Sequence, residues 1–355
     1  MRKIKIILIL FVFFDFTLFY GCSGSQQTQS REGNYNSAFS ISGPRYIEAE
    51  FIIRIDSVIA SGDLLLPYSA PSFLIWSSGP FTLPNQKIEK LDFENLPPSD
   101  IFTDHENGNI ISCWDLTGSV NNGKQIIIKR KFSGHLYNLR ANINSLLRLS
   151  DYDTVSTDLF YFYTKSEPSL EQSPEIILLA HEASGGNQNL NDALRSLFDW
   201  VRNKMKYIYP PEKRGVLAAI EKYEGDCGQY SALFITLCRA LGIPARQQSG
   251  FAISDGKFGY HVWSEVYIPG TGWVPMDTTV PDGFCTIKNT QLVASVGMNI
   301  PLKHLPTWST YSDNDAQGGR TDFMQFMTTV KSGIQAKIST ERRLLDFREI
   351  KENKK

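Results

Sequence analysis

The sequence predicts an α+β protein: an all-β module, then a domain in which helices precede an antiparallel sheet. Three observations carry this. From residue 46 to 164 apolar residues alternate with polar ones in runs punctuated by turn signals, the period of half-buried strands. Between 190 and 240 the apolar period lengthens to that of a helix. Beyond residue 260 two strand-like runs flank Pro269-Gly270-Thr271-Gly272, which reads as a hairpin. Strands, then helices, then a hairpin sheet is the α+β order.

The elements follow in chain order. Arg2, Lys3 and Lys5 precede an apolar run from Ile6 to Phe14, and residues 1–21 read as an export signal, too short to span a bilayer comfortably. The segment ends Leu18-Phe19-Tyr20-Gly21-Cys22, and a small residue before a cysteine resembles the lipobox of bacterial lipoproteins. That resemblance implies lipidation of Cys22 and an exported protein anchored to membrane through that lipid, on a periplasmic or cell-surface face. Residues 22–42, rich in Ser, Gln, Asn and Gly, read as a flexible tether.

From Tyr46 onward, Ile47, Ala49, Phe51, Ile53 and Ile55 alternate with Glu48, Glu50, Arg54 and Asp56, one strand. "NIISCW", "KQIIIKRKF" and "DLFYFYT" add others, with turns at Ser61-Gly62-Asp63, Asn107-Gly108-Asn109 and Asn121-Asn122-Gly123. Residues 43–165 are therefore expected to form an immunoglobulin-like sandwich.

Residues 166–310 are the second domain. Leu190, Ala193, Leu194, Leu197, Val201 and Met205 share one helical face, and a shorter helix is expected at Val216–Lys222. In "YEGDCGQYSALFITLCRALGIPAR", residues 223–246, Asp226 caps a helix that Gly242 and Pro244 end. "YHVWSEVYI" and "GWVPMDTT" are the hairpin strands. Residues 311–355 are an extension whose end, "ERRLLDFREIKENKK", reads as a solvated, weakly amphipathic helix.

At 355 residues and 42% hydrophobic content the chain can fill about two ordinary cores, and a net charge of -1 gives no reason to expect nucleic acid. With Cys22 used for lipid, Cys113, Cys227, Cys238 and Cys285 remain. Cys227 and Cys238 lie about 16 Å apart along one helix and cannot pair; Cys113 and Cys238 read as packed thiols, and no spacing supports a bridge to Cys113 or Cys285. Metal is disfavoured because no C-x-x-C or similar pair is present, and no cofactor is expected.

Cys227 is different because it opens its helix. A thiol works as a nucleophile only as thiolate, and a free cysteine near pKa ~8.5 is mostly protonated. A helix N-terminus and a neighbouring imidazole both favour the anion. Among five histidines, His261 begins a strand, and Asp277 falls close to opposite it if the hairpin turns about Pro269-Gly270. Tyr260, Trp263 and Trp273 read as core aromatics, and His181-Glu182 as a surface pair.

These blocks, "GDCGQYSALFITLCRALGIPAR" and "YHVWSEVYIPGTGWVPMDTT", resemble the motifs of the transglutaminase-like superfamily of papain-type cysteine enzymes, over roughly residues 175 to 285. The resemblance implies a papain-like core with Cys227 as nucleophile, His261 as base and Asp277 as its orienting acid. By analogy an upstream aromatic, Tyr207, is the candidate second oxyanion donor beside the Cys227 N–H. It implies acyl transfer on amide bonds of a peptide or protein substrate. A peptidase or amidase is the first expectation and a protein-glutamine transamidase the second. A peptide N-glycanase is disfavoured because the chain lacks that group's zinc cysteines ahead of the nucleophile. An inactive scaffold is the remaining alternative.

Overall fold

The computed structural model describes residues 38–60, 71–119, 124–305, 316–317, 319–321 and 324–351. The export signal and Cys22 lie outside the described residues. Six strands open the chain: β1 (Phe39–Ala60), β2 (Ser72–Ser78), β3 (Gln86–Glu94), β4 (Asp100–Thr103), β5 (Ile110–Asp115) and β6 (Ile126–Ala141). The alternation read in β1 is real: Ile47, Ala49, Phe51, Ile53 and Ile55 are each at most 1% exposed. β1 begins at Phe39, so the end of the stretch expected as tether is already strand.

Five helices follow with short strands between them: α1 (Thr157–Thr164), α2 (Pro174–Ala183), α3 (Leu190–Lys204), β7 (Lys206–Tyr207), α4 (Val216–Lys222), β8 (Glu224–Gly225) and α5 (Cys227–Ala240). The helix α1 contains "DLFYFYT", expected as a strand. Local capping decides it: the Ser156 hydroxyl accepts from the Leu159 N–H at 3.4 Å and Asp158 stands in the first turn, which outweighs the β propensity of the aromatics. Next come β9 (Ala245–Ser254), β10 (Lys257–Ile268), β11 (Gly272–Met276), β12 (Thr286–Ile287), β13 (Gln291–Val296) and β14 (Ile300–Pro301). The chain finishes with β15 (Ala316–Gln317), β16 (Arg320–Thr321), β17 (Thr328–Ser332) and β18 (Ile334–Glu349).

In one sheet β1 lies between β6 and β18, with β3 and β12 on the far side of β6; a second runs β17-β2-β5-β4; a third runs β11-β10-β9-β13. The C-terminal stretch expected as a solvated helix is thus the strand β18, paired with β1 from Arg45 opposite Glu349 to Ala60 opposite Ile334. Its charges are what misled the helical reading. On an edge strand they stay solvated and pair across the ladder, Arg45 with Glu349 at 2.6 Å and Arg54 with Glu341 at 3.0 Å.

Two apolar cores position the site. In one, α5 is buried along nearly its whole length, with Phe234 edge-on to Phe198 of α3 at 6.3 Å between ring centroids. In the other, Phe51 meets Phe132 of β6 and Phe251 of β9, each at 5.1 Å, so the first sheet and the third share packing. No described helix is long and apolar enough to cross a membrane.

The approach between β9 and β13 leaves no room for a side chain at Gly250, where a Cβ would sit 1.9 Å from the Leu292 carbonyl oxygen. At Gly259 the nearest atom would be 3.7 Å away. Gly250→Ala is therefore expected to destabilise the fold by about 2–4 kcal/mol, whereas Gly259→Ala should stay within about 0.5 kcal/mol of the parent in urea unfolding.

Candidate active site

The site begins at the tip of α5. Asp226 is the N-cap: its Oδ1 accepts from the Gly228 N–H at 2.9 Å, and the Arg214 guanidinium pairs with its Oδ2 at 3.0 Å. Cys227 is thereby fixed as the first residue of the helix, 9% exposed. The pairing of β7 with β8 sets Tyr207 opposite Gly225, with the Ile208 N–H on the Gly225 carbonyl at 3.0 Å. This brings the Tyr207 side chain beside the tip of α5, next to Cys227 and Asp226. Burial, then the nearby Cys227 and Asp226, raise the pKa of this phenol.

The hairpin supplies the other half. β10 and β11 pair from Ile268 opposite Gly272 to Ser264 opposite Met276. Asp277 therefore emerges one residue past the last pair, level with Trp263 and diagonal to His261 rather than directly across from it. The diagonal is bridged by side chains, with His261 Nε2 2.7 Å from Asp277 Oδ2. The imidazole also lies close enough to the nucleophile candidate for the Cys227 side chain to act on its charge. With Nε2 held by Asp277, Nδ1 is the nitrogen left for the sulfur.

Electrostatics follow from this contact set. Burial opposes a charge on His261, but the hydrogen bonds to Asp277 and Cys227, with their charges, outweigh it and raise its pKa to about 10. Burial would raise the Asp277 carboxyl; His261, together with the hydroxyl and main-chain N–H of Thr279, holds it below the ordinary value. Gln291 Nε2 adds a further bond to Asp277 at 3.2 Å. The other cysteines of the described chain are free and buried. Burial pushes the thiols of Cys113 and Cys285 up to about 12 and that of Cys238 well above its usual range.

The structure thus brings together all four residues selected from sequence within the described chain: Cys227, His261, Asp277 and Tyr207. Sequence reasoning missed their supports. Thr279 was within sight, two residues past Asp277; Gln291 and Arg214 reach their partners through tertiary packing and leave no local signal. It also missed a buried relay behind His261. The His261 ring lies tilted against Trp263 at 5.6 Å; the Trp263 indole N–H donates to Gln248; and Gln248 Nε2 donates to Glu265 at 2.7 Å. Burial raises the Glu265 carboxyl even though Arg246 pairs with it. Among the described residues no group of three or more His, Cys, Asp or Glu side chains is arranged to hold a metal ion. What the set can do is nucleophilic acyl chemistry: a thiol on an imidazole oriented by a carboxylate, beside two potential oxyanion donors.

Residues 178–278 match the transglutaminase-like superfamily, a span that contains Cys227, His261, Asp277 and Tyr207. That span is similar to the core of the superfamily and lies behind the N-terminal β region. Among solved structures, a "putative cysteine protease" from Cytophaga hutchinsonii is similar over 87% of this chain and 93% of its own, at 18% identity and a TM-score of 0.60, a likeness of fold. The periplasmic domain of TgpA from Pseudomonas aeruginosa aligns over 63% of this chain and 93% of its own, at 14% identity and a TM-score of 0.33. No curated protein matches the sequence. The superfamily match supports a thiol-dependent enzyme of cysteine type.

His261 keeps its proton to about pH 10 in the folded chain, against an ordinary imidazole value of 6.5. Its charge therefore contributes stability that is complete below pH 6.5 and is lost as the pH climbs through about 10. The gap in urea midpoint between the parent and His261→Gln is expected to be widest at about pH 6 and to shrink steadily toward about pH 10. A gap of constant width across that range would contradict the buried charge pair.

Proposed function

We propose that this protein is an exported, lipid-anchored cysteine hydrolase that cleaves amide bonds in peptide or protein substrates. The observation that carries the reading is the single imidazole that touches both a buried carboxylate, at 2.7 Å, and the thiol at a helix tip. Export and the anchor on Cys22 rest on the sequence of the first 22 residues.

The reaction follows from the contacts. With the proton of the pair resting on His261, the Cys227 sulfur attacks the amide carbonyl as thiolate, so an S–C bond forms and negative charge moves to the carbonyl oxygen. The Cys227 N–H and the Tyr207 hydroxyl receive that oxygen. The phenol lies beside the Cys227 main chain in the resting site, so its proton and the N–H can converge on one oxygen. The C–N bond then breaks as His261 passes its proton to the leaving amine. Water attacks the thioester as His261 takes the water's proton, the S–C bond breaks, the acid is released and the sulfur is left as thiolate beside the protonated imidazole. Asp277 holds the Nε2–H tautomer throughout, keeping Nδ1 toward the sulfur. Tyr207 stands 54% exposed at the site's edge, which gives water a route to the acyl intermediate.

Alkylation by iodoacetamide at about pH 6 tests the activated thiol. Cys227 should react and Cys238 should not, and His261→Ala should slow Cys227 by roughly 10²-fold or more. Equal rates for parent and His261→Ala would end the enzymatic reading. A glutamine peptide incubated with and without a primary amine, with products weighed by mass spectrometry, tests the acceptor. The free acid is expected as main product in both; exclusive amine incorporation would replace hydrolysis with transamidation.

A further inference from the structure

Ahead of β17 the chain crosses the sandwich, and three consecutive residues there take three different partners. Met324 is 1% exposed in the core beneath β2 and β5, and its carbonyl accepts from the Ser78 hydroxyl at 2.9 Å. Phe326 is 4% exposed in the neighbouring core, its ring 5.2 Å from that of Phe51, and its carbonyl accepts from the Ser77 hydroxyl. Gln325, between these two anchored residues, reaches toward the third sheet. Its Nε2 donates to the main-chain oxygen of His261 at 2.9 Å and to that of Gly250 at 3.1 Å.

His261 and Gly250 face each other across β10 and β9. The β10–β11 ladder has already stopped at Ser264, so the main chain of His261 is paired through β9 alone. One side-chain amide from a distant part of the chain adds a second hold there, bridging the carbonyls of both strands at this pair. Because residues 324 and 326 are each fixed by an apolar side chain and a main-chain hydrogen bond, the amide has little freedom to follow a shifting strand. We infer that Gln325 is a positioning residue for His261, holding its main chain where the imidazole spans Asp277 and Cys227. The segment from Met324 onward is thereby part of the catalytic apparatus and not an appendage. The span between carboxylate and sulfur tolerates little displacement, since misplacement of a reacting group by about 1 Å can cost up to 10²-fold in rate.

The inference rests on His261 acting as the base, and its test separates the two. In the full chain, Gln325→Leu and Gln325→Glu both remove the donor, the second with nearly unchanged shape, while Gln325→Lys restores one. The readout is the pH profile of Cys227 alkylation by iodoacetamide, scaled to the folded fraction measured by circular dichroism. The Leu and Glu variants are expected to slow alkylation at about pH 6 by about tenfold and to move the profile, and the Lys variant to recover to within about threefold of the parent. A folded Leu or Glu variant with the parental rate and profile overturns the inference, as does a loss of rate that only follows loss of folded protein. His261→Ala is measured alongside. If it is slow while the Gln325 variants are not, the positioning role alone fails; if it alkylates like the parent, the base itself, and this inference with it, falls.

Discussion

A helix tip has to meet a strand from a later part of the chain, and the rest of the structure is arranged around that meeting. Cys227 can face His261 only because α5 is buried along its length and enters its core end-on, with Asp226 and Arg214 closing the first turn. The pair that completes the contact is costly. Taking an imidazole and a carboxylate out of water carries a desolvation penalty that their attraction repays only with good geometry and further hydrogen bonds. Thr279 and Gln291 supply those bonds to Asp277, and the nearby Cys227 side chain adds to the hold on the His261 charge. Apolar side chains of similar size would hold a hairpin to a helix at least as firmly. A charged pair kept at this point, against a thiol, is better explained by chemistry than by stability.

The β-sandwich bears on the same contact from behind. Phe51 lies in the middle of β1 and touches Phe251 of β9 and Phe258 of β10 at 5.1 and 5.7 Å. The strand that carries His261 is therefore packed on the first sheet through aromatic rings, which resist compression and transmit displacement. β17 and β18 return to edges of both sandwich sheets. The third sheet is thus braced by residues from the start of the described chain and from its end, a contact order that no local motif encodes.

What was legible in the sequence were the features with local causes. The N-cap Asp226 and the Gly242-Pro244 stop bound α5 within a residue or two, the Pro269-Gly270 turn fixes the hairpin, and Cys227, His261 and Asp277 occupy the positions their motifs implied. What was not legible depends on partners far along the chain. "ERRLLDFREIK" has the composition of a solvated helix and becomes a strand because β1 offers an unpaired edge with complementary charges. "DLFYFYT" went the other way, its aromatics suggesting a strand while the Ser156 cap and the packing of α1 near α5 select a helix. The diagonal setting of Asp277 is a register property, invisible until the hairpin pairs are counted. Gln291 and Gln325 are ordinary glutamines in sequence; only tertiary structure gives them carbonyl and carboxylate partners.

The four described cysteines show how environment, and not residue type, assigns chemistry. Cys113 lies in the sandwich, Cys238 in the last turn of α5 and Cys285 in the same core as α5, each buried and each with its thiol pushed up. A thiol that does not ionise neither attacks nor readily oxidises, since both routes run through the thiolate. Burial can therefore do for these three what disulfides do for many exported proteins, which reconciles unpaired cysteines with the proposed location outside the cytoplasm. Cys227 differs in having a base in contact, a helix N-terminus behind it and an open edge beside Tyr207.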